Sequence, residues 1–284
     1  MEVRYILLLP PSVEEILFST PLIRSIIKDI DHSEVYCAVP KGFEWLLENN
    51  PYVSGQIIFD KKPSENMEGF RNVRADYLVD LTGGKNALWF KNRLKIMDFT
   101  LSYREISKIR ALGELSKAFK LFLDLSFDLL RVFDLKYDDQ GMDYFYGHNK
   151  SFIEKAIPES FIDGYALIDI PDMIGRDTDL TARLSDLISR IERPVVLCCD
   201  KKWKETGEEV MRRTGCTILS TCGDFNEQEK VFARAGSKVI LNLKERQGIW
   251  SMIFDKPHYY FDLSQEPEKW RKEIDEIRQI ISVR

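Results

Sequence analysis

Short apolar runs alternate with helical stretches along this chain, and the alternation occurs twice. In the first half the strand-like runs are Val3–Leu9, Glu34–Val39, Gln56–Phe59 and Tyr77–Leu81, with helical spacing at Val13–Lys28, Phe43–Glu48 and Glu65–Arg74 between them. In the second half the runs are Tyr165–Ile170, Pro194–Cys199, Cys216–Ser220, Lys238–Leu243 and His258–Asp262, separated by Thr181–Ile191, Lys202–Arg213, Glu227–Arg234 and Gln247–Phe254. This pattern selects parallel sheets with crossover helices, an α/β chain in two units. Leu115–Val132 reads as one helix, and the acidic, aromatic stretch Asp138–Gly147 after it places the boundary near residue 150. The domains are therefore expected at 1–150 and 151–284. The closing segment Pro267–Val283 carries an apolar stripe of Trp270, Ile274, Ile277, Ile280 and Ile281, and is expected to pack back across both.

Charge and composition narrow the function. With 41 Lys and Arg against 46 Asp and Glu, the net charge of -5 argues against a general nucleic-acid binder. No apolar run approaches the roughly 18 residues of a membrane span, and the N-terminus shows no secretory h-region, so the cytoplasm is the expected compartment. Five cysteines, none in a C-x-x-C pair, suggest neither a disulfide framework nor a zinc site, and are expected as free buried thiols. Three scattered histidines leave little material for a metal site or a histidine base. Chemistry would rest on carboxylates, without a metal or resident cofactor.

One local excess of positive charge stands out. Lys85, Lys91, Arg93, Lys95, Arg104, Lys108 and Arg110 face only Asp98 and Glu105, interleaved with Trp89, Phe90 and Phe99. Such a stretch suits an anionic membrane surface or a phosphorylated glycolipid, or is a solvated helix face. Gly83 and Gly84 follow a strand at the end where α/β ligands gather, though a plain turn explains them equally.

The motifs together resemble glycosyltransferase family nine, the ADP-heptose:lipopolysaccharide heptosyltransferases. The carrying residues are Ile6–Leu9, Ser12–Pro21, Glu34-Val35 and Asn49-Asn50-Pro51-Tyr52-Val53, followed by Pro194–Leu197, Ala233-Arg234-Ala235 and Lys256-Pro257. Asp76–Leu81 and Gly141–Phe145 look like its Bacteroidetes-type branch. The resemblance implies a GT-B architecture, two Rossmann-like domains facing a cleft. The first would take a lipid A–core acceptor and the second the donor ADP-heptose, a co-substrate rather than a cofactor. It also implies inverting, metal-independent transfer, with a carboxylate at the start of the first helix as base. Counting back from Thr20-Pro21, the family's Gly-Asp falls on Glu14-Glu15, which makes Glu15 the candidate base. Ser12-Val13-Glu14-Glu15 also reads as a capping box.

The family's donor motif D-[ST]-G-x-x-H falls on Lys244-Glu245-Arg246-Gln247-Gly248-Ile249, with every functional position changed. Arg176, in the acidic stretch Asp169–Thr178, is the other basic group a recast donor pocket could use. Two functions follow as expectations. One is a heptosyltransferase-like protein of lipopolysaccharide or cell-envelope glycan assembly with a degraded donor site. The other is a non-catalytic relative binding a glycan, an anionic surface at the inner face of the cytoplasmic membrane, or a partner enzyme.

Overall fold

The computed structural model describes residues 2–84, 86–145, 157–161, 163–170, 178–221, 223, 225–243 and 248–282, the side chains of 86–88, 91 and 178 excepted. The chain divides into two units, Met1–Gly147 and His148–Arg284. Each is built around one parallel five-stranded sheet.

In the first unit the strands are β1 (Val3–Leu8), β2 (Ser33–Pro40), β3 (Gly55–Phe59), β4 (Tyr77–Asp80) and β5 (Met97–Thr100), in the order β3-β2-β1-β4-β5. All four pairings are parallel. The connecting helices are α1 (Val13–Phe18), α2 (Thr20–Asp29), α3 (Met67–Val73) and α4 (Asn86–Leu94), with α5 (Tyr103–Ala111) and α6 (Leu115–Leu129) after β5. Central β1 is fully buried from Tyr5 to Leu8. Such two-sided burial is why it reads as a continuous apolar run rather than an alternation.

The single helix expected over Val13–Lys28 is two. Pro21, at the start of α2, has no N–H to give the Leu17 carbonyl, and the Thr20 hydroxyl donates to it instead at 2.7 Å. The chain therefore bends at Ser19. Phe43–Glu48 is reduced to a 3-10 turn at Glu44–Leu46, and the basic stretch from Lys85 to Arg110 is divided among α4, β5 and α5. β5 escaped notice because it is short and only half buried.

The second unit repeats the same topology. Its strands are β6 (Ala166–Asp169), β7 (Val195–Cys198), β8 (Ile218–Ser220), β9 (Val239–Asn242) and β10 (His258–Tyr260), ordered β10-β9-β6-β7-β8 and all parallel. The helices are α7 (Thr178–Ile191), α8 (Lys204–Thr214), α9 (Glu227–Gly236), α10 (Ile249–Ile253) and α11 (Arg271–Ser282). The stripe of the last helix lies in this unit's own core, where Trp270, Ile274, Ile277 and Ile281 join Leu187, Ile191 and Leu241. In both units the strand order reverses beside the first strand, β1/β4 in one and β6/β9 in the other. Ligands of doubly wound sheets bind at the carboxyl ends of such a strand pair. No helix among the described residues is long and apolar enough to cross a membrane.

Candidate functional site

At the reversal point of the first sheet, β1 runs through Pro10 and Pro11 into α1. Ser12 is extended (φ -147°, ψ 129°), and its Oγ accepts the Glu15 N–H at 3.3 Å, capping the helix. The Ser12 hydroxyl in turn donates to Glu14 Oε2 at 2.9 Å. The expected capping box is only half made, because the Glu15 carboxylate turns elsewhere and the Ser12 N–H donates to the Pro10 carbonyl. Arg110 Nε and Nη2 donate to Glu15 Oε1 and Oε2 at 2.6 and 2.8 Å. A two-pronged, charge-assisted fork outcompetes a single neutral N–H, which is why Glu15 faces α5 rather than its own helix start. Glu15 is only 4% exposed, whereas the Arg110 side chain is half exposed. The hydrogen bond it donates to Glu15 holds the Arg110 guanidinium above its ordinary value.

Gly83 belongs to the same arrangement. It has φ +69°, and a Cβ there would lie 2.8 Å from Ile106 Cγ1 and 3.2 Å from the Tyr103 backbone. The glycine lets α5 cross closely over the end of β4. Gly84 beside it is half buried. Asp80, the last residue of β4, accepts from the Thr82 N–H and hydroxyl at 2.8 and 2.6 Å through Oδ1. The carboxyl end of this sheet is thus bridged by α5, with Arg110 fastening it to α1.

A second charged cluster fastens the segment Lys136–Phe145 along α2. Arg24, 1% exposed, donates from Nε and Nη2 to the two oxygens of Asp138 at 2.9 and 2.6 Å, from Nη2 to the Gly141 carbonyl at 3.1 Å, and from Nη1 to Asp143 Oδ2. Lys28 adds an ion pair to Asp138 at 3.0 Å. The Arg24 fork holds the Asp138 carboxyl well below the usual carboxylate range. Thr20 Oγ1, already bridging the bend, accepts the Asp143 N–H at 2.8 Å. Tyr144 and Phe145 pack edge-on against Trp45 and Tyr52. The stretch read from sequence as a linker is therefore, through Phe145, bound to the first unit.

In the second unit, the reversal point lies between Asp169 and Asn242, paired in register. Arg234 on α9 reaches up to Asp169, with Nε–Oδ2 3.1 Å and Nη2–Oδ1 2.6 Å, and stacks 5.6 Å over the Trp250 ring. Burial alone would lower the Arg234 guanidinium; the Asp169 charge reverses this and raises it. Lys230, one turn earlier and 5% exposed, pairs with Glu227 at 2.7 Å. Burial pushes the Cys198 thiol at the end of β7 up to about 11. Cys37, Cys198 and Cys216 are free, whereas Cys199 is disulfide-bonded, which corrects the expectation for that residue.

Of the residues singled out in the sequence, Arg176, Lys244, Glu245 and Arg246 lie outside the described residues. Ile249, at the family's histidine position, is 3% exposed at the start of the five-residue α10 and belongs to the core. Lys91 has no described side chain. Arg93 and Lys95 are exposed at the carboxyl end of α4, and Lys95 has φ +57°. Arg104 and Lys108 lie on α5 at the other end of the sheet, so the basic residues form two groups. Sequence reading named Arg110 only within the basic stretch and Arg234 only within a family motif, and missed the ion-pair roles of both and of Arg24. Arg24 and Arg234 carried a signal, each being a lone charge within an apolar stretch, Leu22–Ile27 and Val231–Ala235, where burial requires a partner. Among the described residues no cluster of His, Cys, Asp and Glu could hold a metal ion.

The fold has close counterparts among solved structures. A glycosyltransferase family 9 protein from Veillonella parvula is 12% identical, covering 99% of this chain and 96% of its own, with a TM-score of 0.67. The ADP-heptose lipopolysaccharide heptosyltransferase II of E. coli is 15% identical, covering 91% and 84%, also at 0.67. A UDP-GlcNAc 2-epimerase from Methanocaldococcus jannaschii is 14% identical, covering 100% and 93%, at 0.57. No family model and no curated protein matches the chain by sequence. The two parallel sheets with their helices are the α/β, GT-B-like fold of these neighbours.

Proposed function

We propose that this chain is a heptosyltransferase-like protein of lipopolysaccharide or other cell-envelope glycan assembly that binds a glycan ligand without transferring a sugar. The observation that carries the reading is the closure of Glu15. A general base needs a lone pair within reach of the acceptor hydroxyl. The Arg110 fork occupies one lone pair of each Glu15 oxygen and fixes the carboxylate toward α5, and burial withdraws the remaining lone pairs from solvent. Its role is to fasten α5, with Ser12 and Glu14 completing the start of the helix.

The donor side supports the same reading through its sequence. Arg246 stands where a glycine would let backbone amides approach phosphate, and Ile249 cannot donate a hydrogen bond. Lys244, Arg246 and Arg176 remain as charges that could attract an anion. The partner is proposed as a lipid A–core glycolipid, the anionic inner face of the cytoplasmic membrane, or an enzyme of the same assembly.

Calorimetry with nucleotides tests this. ADP and ADP-heptose are expected to bind no tighter than the millimolar range, about -4 kcal/mol. Micromolar binding that disappears in Lys244→Ala or Arg246→Ala would restore an active donor pocket and the transferase function.

A further inference from the structure

We propose that Arg71, Arg74 and Arg93 form a pocket for a phosphate-bearing group at the amino end of the first sheet. This is the end opposite to Glu15. Arg71 lies in the last turn of α3 and Arg74 caps that helix, just before β4 begins; Arg93 lies in the last turn of α4, just before β5. Because β4 and β5 are parallel neighbours, the two helix ends lie side by side. Between them is a cavity of about 130 Å³ lined by the three arginines and by Phe70, Leu94 and Ile96. At roughly 30 Å³ per water, that space takes a phosphate group and a little solvent.

Three features set the pocket apart from an ordinary charged surface. No acidic residue lines it. Among the described residues none of the three guanidinium groups makes an ion pair or hydrogen bond, although the chain holds 46 carboxylates against 41 cations. Asp76, two residues after Arg74, accepts the Arg4 N–H, and the Arg4 side chain pairs with Glu2 and Glu34. Like charges gathered without a counter-ion repel, and an anion entering among them relieves that repulsion. The floor is also fixed beforehand. Phe70 is 1% exposed and packs on Phe90 at 4.5 Å, and Arg93 stacks over Trp89 at 5.7 Å. Planar guanidinium forks on a rigid apolar floor suit phosphate oxygens better than mobile lysines would.

The ligand chemistry is a phosphate monoester or diester, free or on a lipid headgroup, and the test separates the two sources. Titration of the full chain with inorganic phosphate and pyrophosphate, followed by NMR, forms one arm. Co-sedimentation with phosphatidylcholine vesicles, with and without phosphatidic acid, forms the other. The variant is Arg71→Gln/Arg74→Asn, with Asn chosen because Arg74 has φ +53° and Asn tolerates that left-handed backbone. Both positions are exposed, so the melting temperature is expected to stay unchanged. Binding in the first arm, weakened tenfold or more in the variant, assigns a free phosphate compound; binding only to phosphatidic acid vesicles, lost in the variant, assigns a lipid headgroup. No binding in either arm, or binding the variant retains in full, overturns the proposal.

Discussion

Replacing Arg24 by Met is expected to destabilise the first unit by about 3–5 kcal/mol, because it removes one partner of a buried charge network and leaves the others behind. Asp138 and Asp143 would keep their carboxylates against α2 with no guanidinium to accept from, and the Gly141 carbonyl would lose its donor as well. The segment Lys136–Phe145 would still be held by the Lys28 ion pair to Asp138, by Thr20, Ser25 and Asp29 side-chain contacts and by the aromatic pairs at Trp45 and Tyr52.

 The Asp29 contact is a hydrogen bond from the Lys136 N–H at 2.9 Å, and the Ser25 hydroxyl donates to the Lys136 carbonyl at the same distance. For Asp138 the pH dependence has a definite sign, while burial holds the Asp143 carboxyl above its ordinary value and opposes it. Asp138 has a folded value depressed below its unfolded one, so its stabilisation is present above roughly pH 4 and is lost as pH falls through the folded value. Urea unfolding at pH 7 should show the full difference between wild type and Arg24→Met. At pH 3 the stranded carboxylates of the variant take up protons and the difference shrinks. Equal stability at pH 7 would mean that the network contributes nothing net.

Arg234→Met is expected to cost the second unit a similar amount, about 3–5 kcal/mol, by stranding Asp169 in a site where it is 8% exposed. The Trp250 ring would lose its stacked cation at the same time. Changing both partners together, Arg234→Met with Asp169→Leu, should recover much of the loss, since an apolar pair of similar volume carries no desolvation cost. Chemical denaturation of the two variants separates the possibilities. If the double variant is as unstable as the single one, the damage lies in packing and not in an unpaired charge.

The architecture was legible in the sequence because parallel strands buried on both faces are continuous apolar runs. Nine of the ten strands could be placed from that signal alone, while β5 was hidden by its four residues and partial burial. Helix ends were less legible. The break at Ser19 depends on Pro21 and Thr20 acting together on one carbonyl, which an apolar periodicity over Val13–Lys28 does not register.

The site was legible only by half. Ser12 and Glu15 were identifiable from local spacing, and the Ser12 cap formed. The partner that decides what Glu15 does is 95 residues away on a helix that periodicity did not single out. The same holds for Arg24 with Asp138 and Arg234 with Asp169: an isolated charge in an apolar stretch announces that a partner exists, but only the fold identifies it. Gly83 was assigned equally to a ligand and to a turn, and its geometry shows a third use, the close passage of α5.

The central claim is that Glu15 is a structural group in a protein that does not transfer sugar. It is tested most directly by following ADP release from ADP-heptose in the presence of a lipid A–core acceptor, for wild type and Glu15→Gln, alongside their melting temperatures. No release above background is expected for either protein, and a lower melting temperature is expected for Glu15→Gln, because the amide cannot replace the charged fork to Arg110. Release by the wild type that vanishes in Glu15→Gln, with the melting temperature unchanged, would show that Glu15 is a catalytic base and contradict the account.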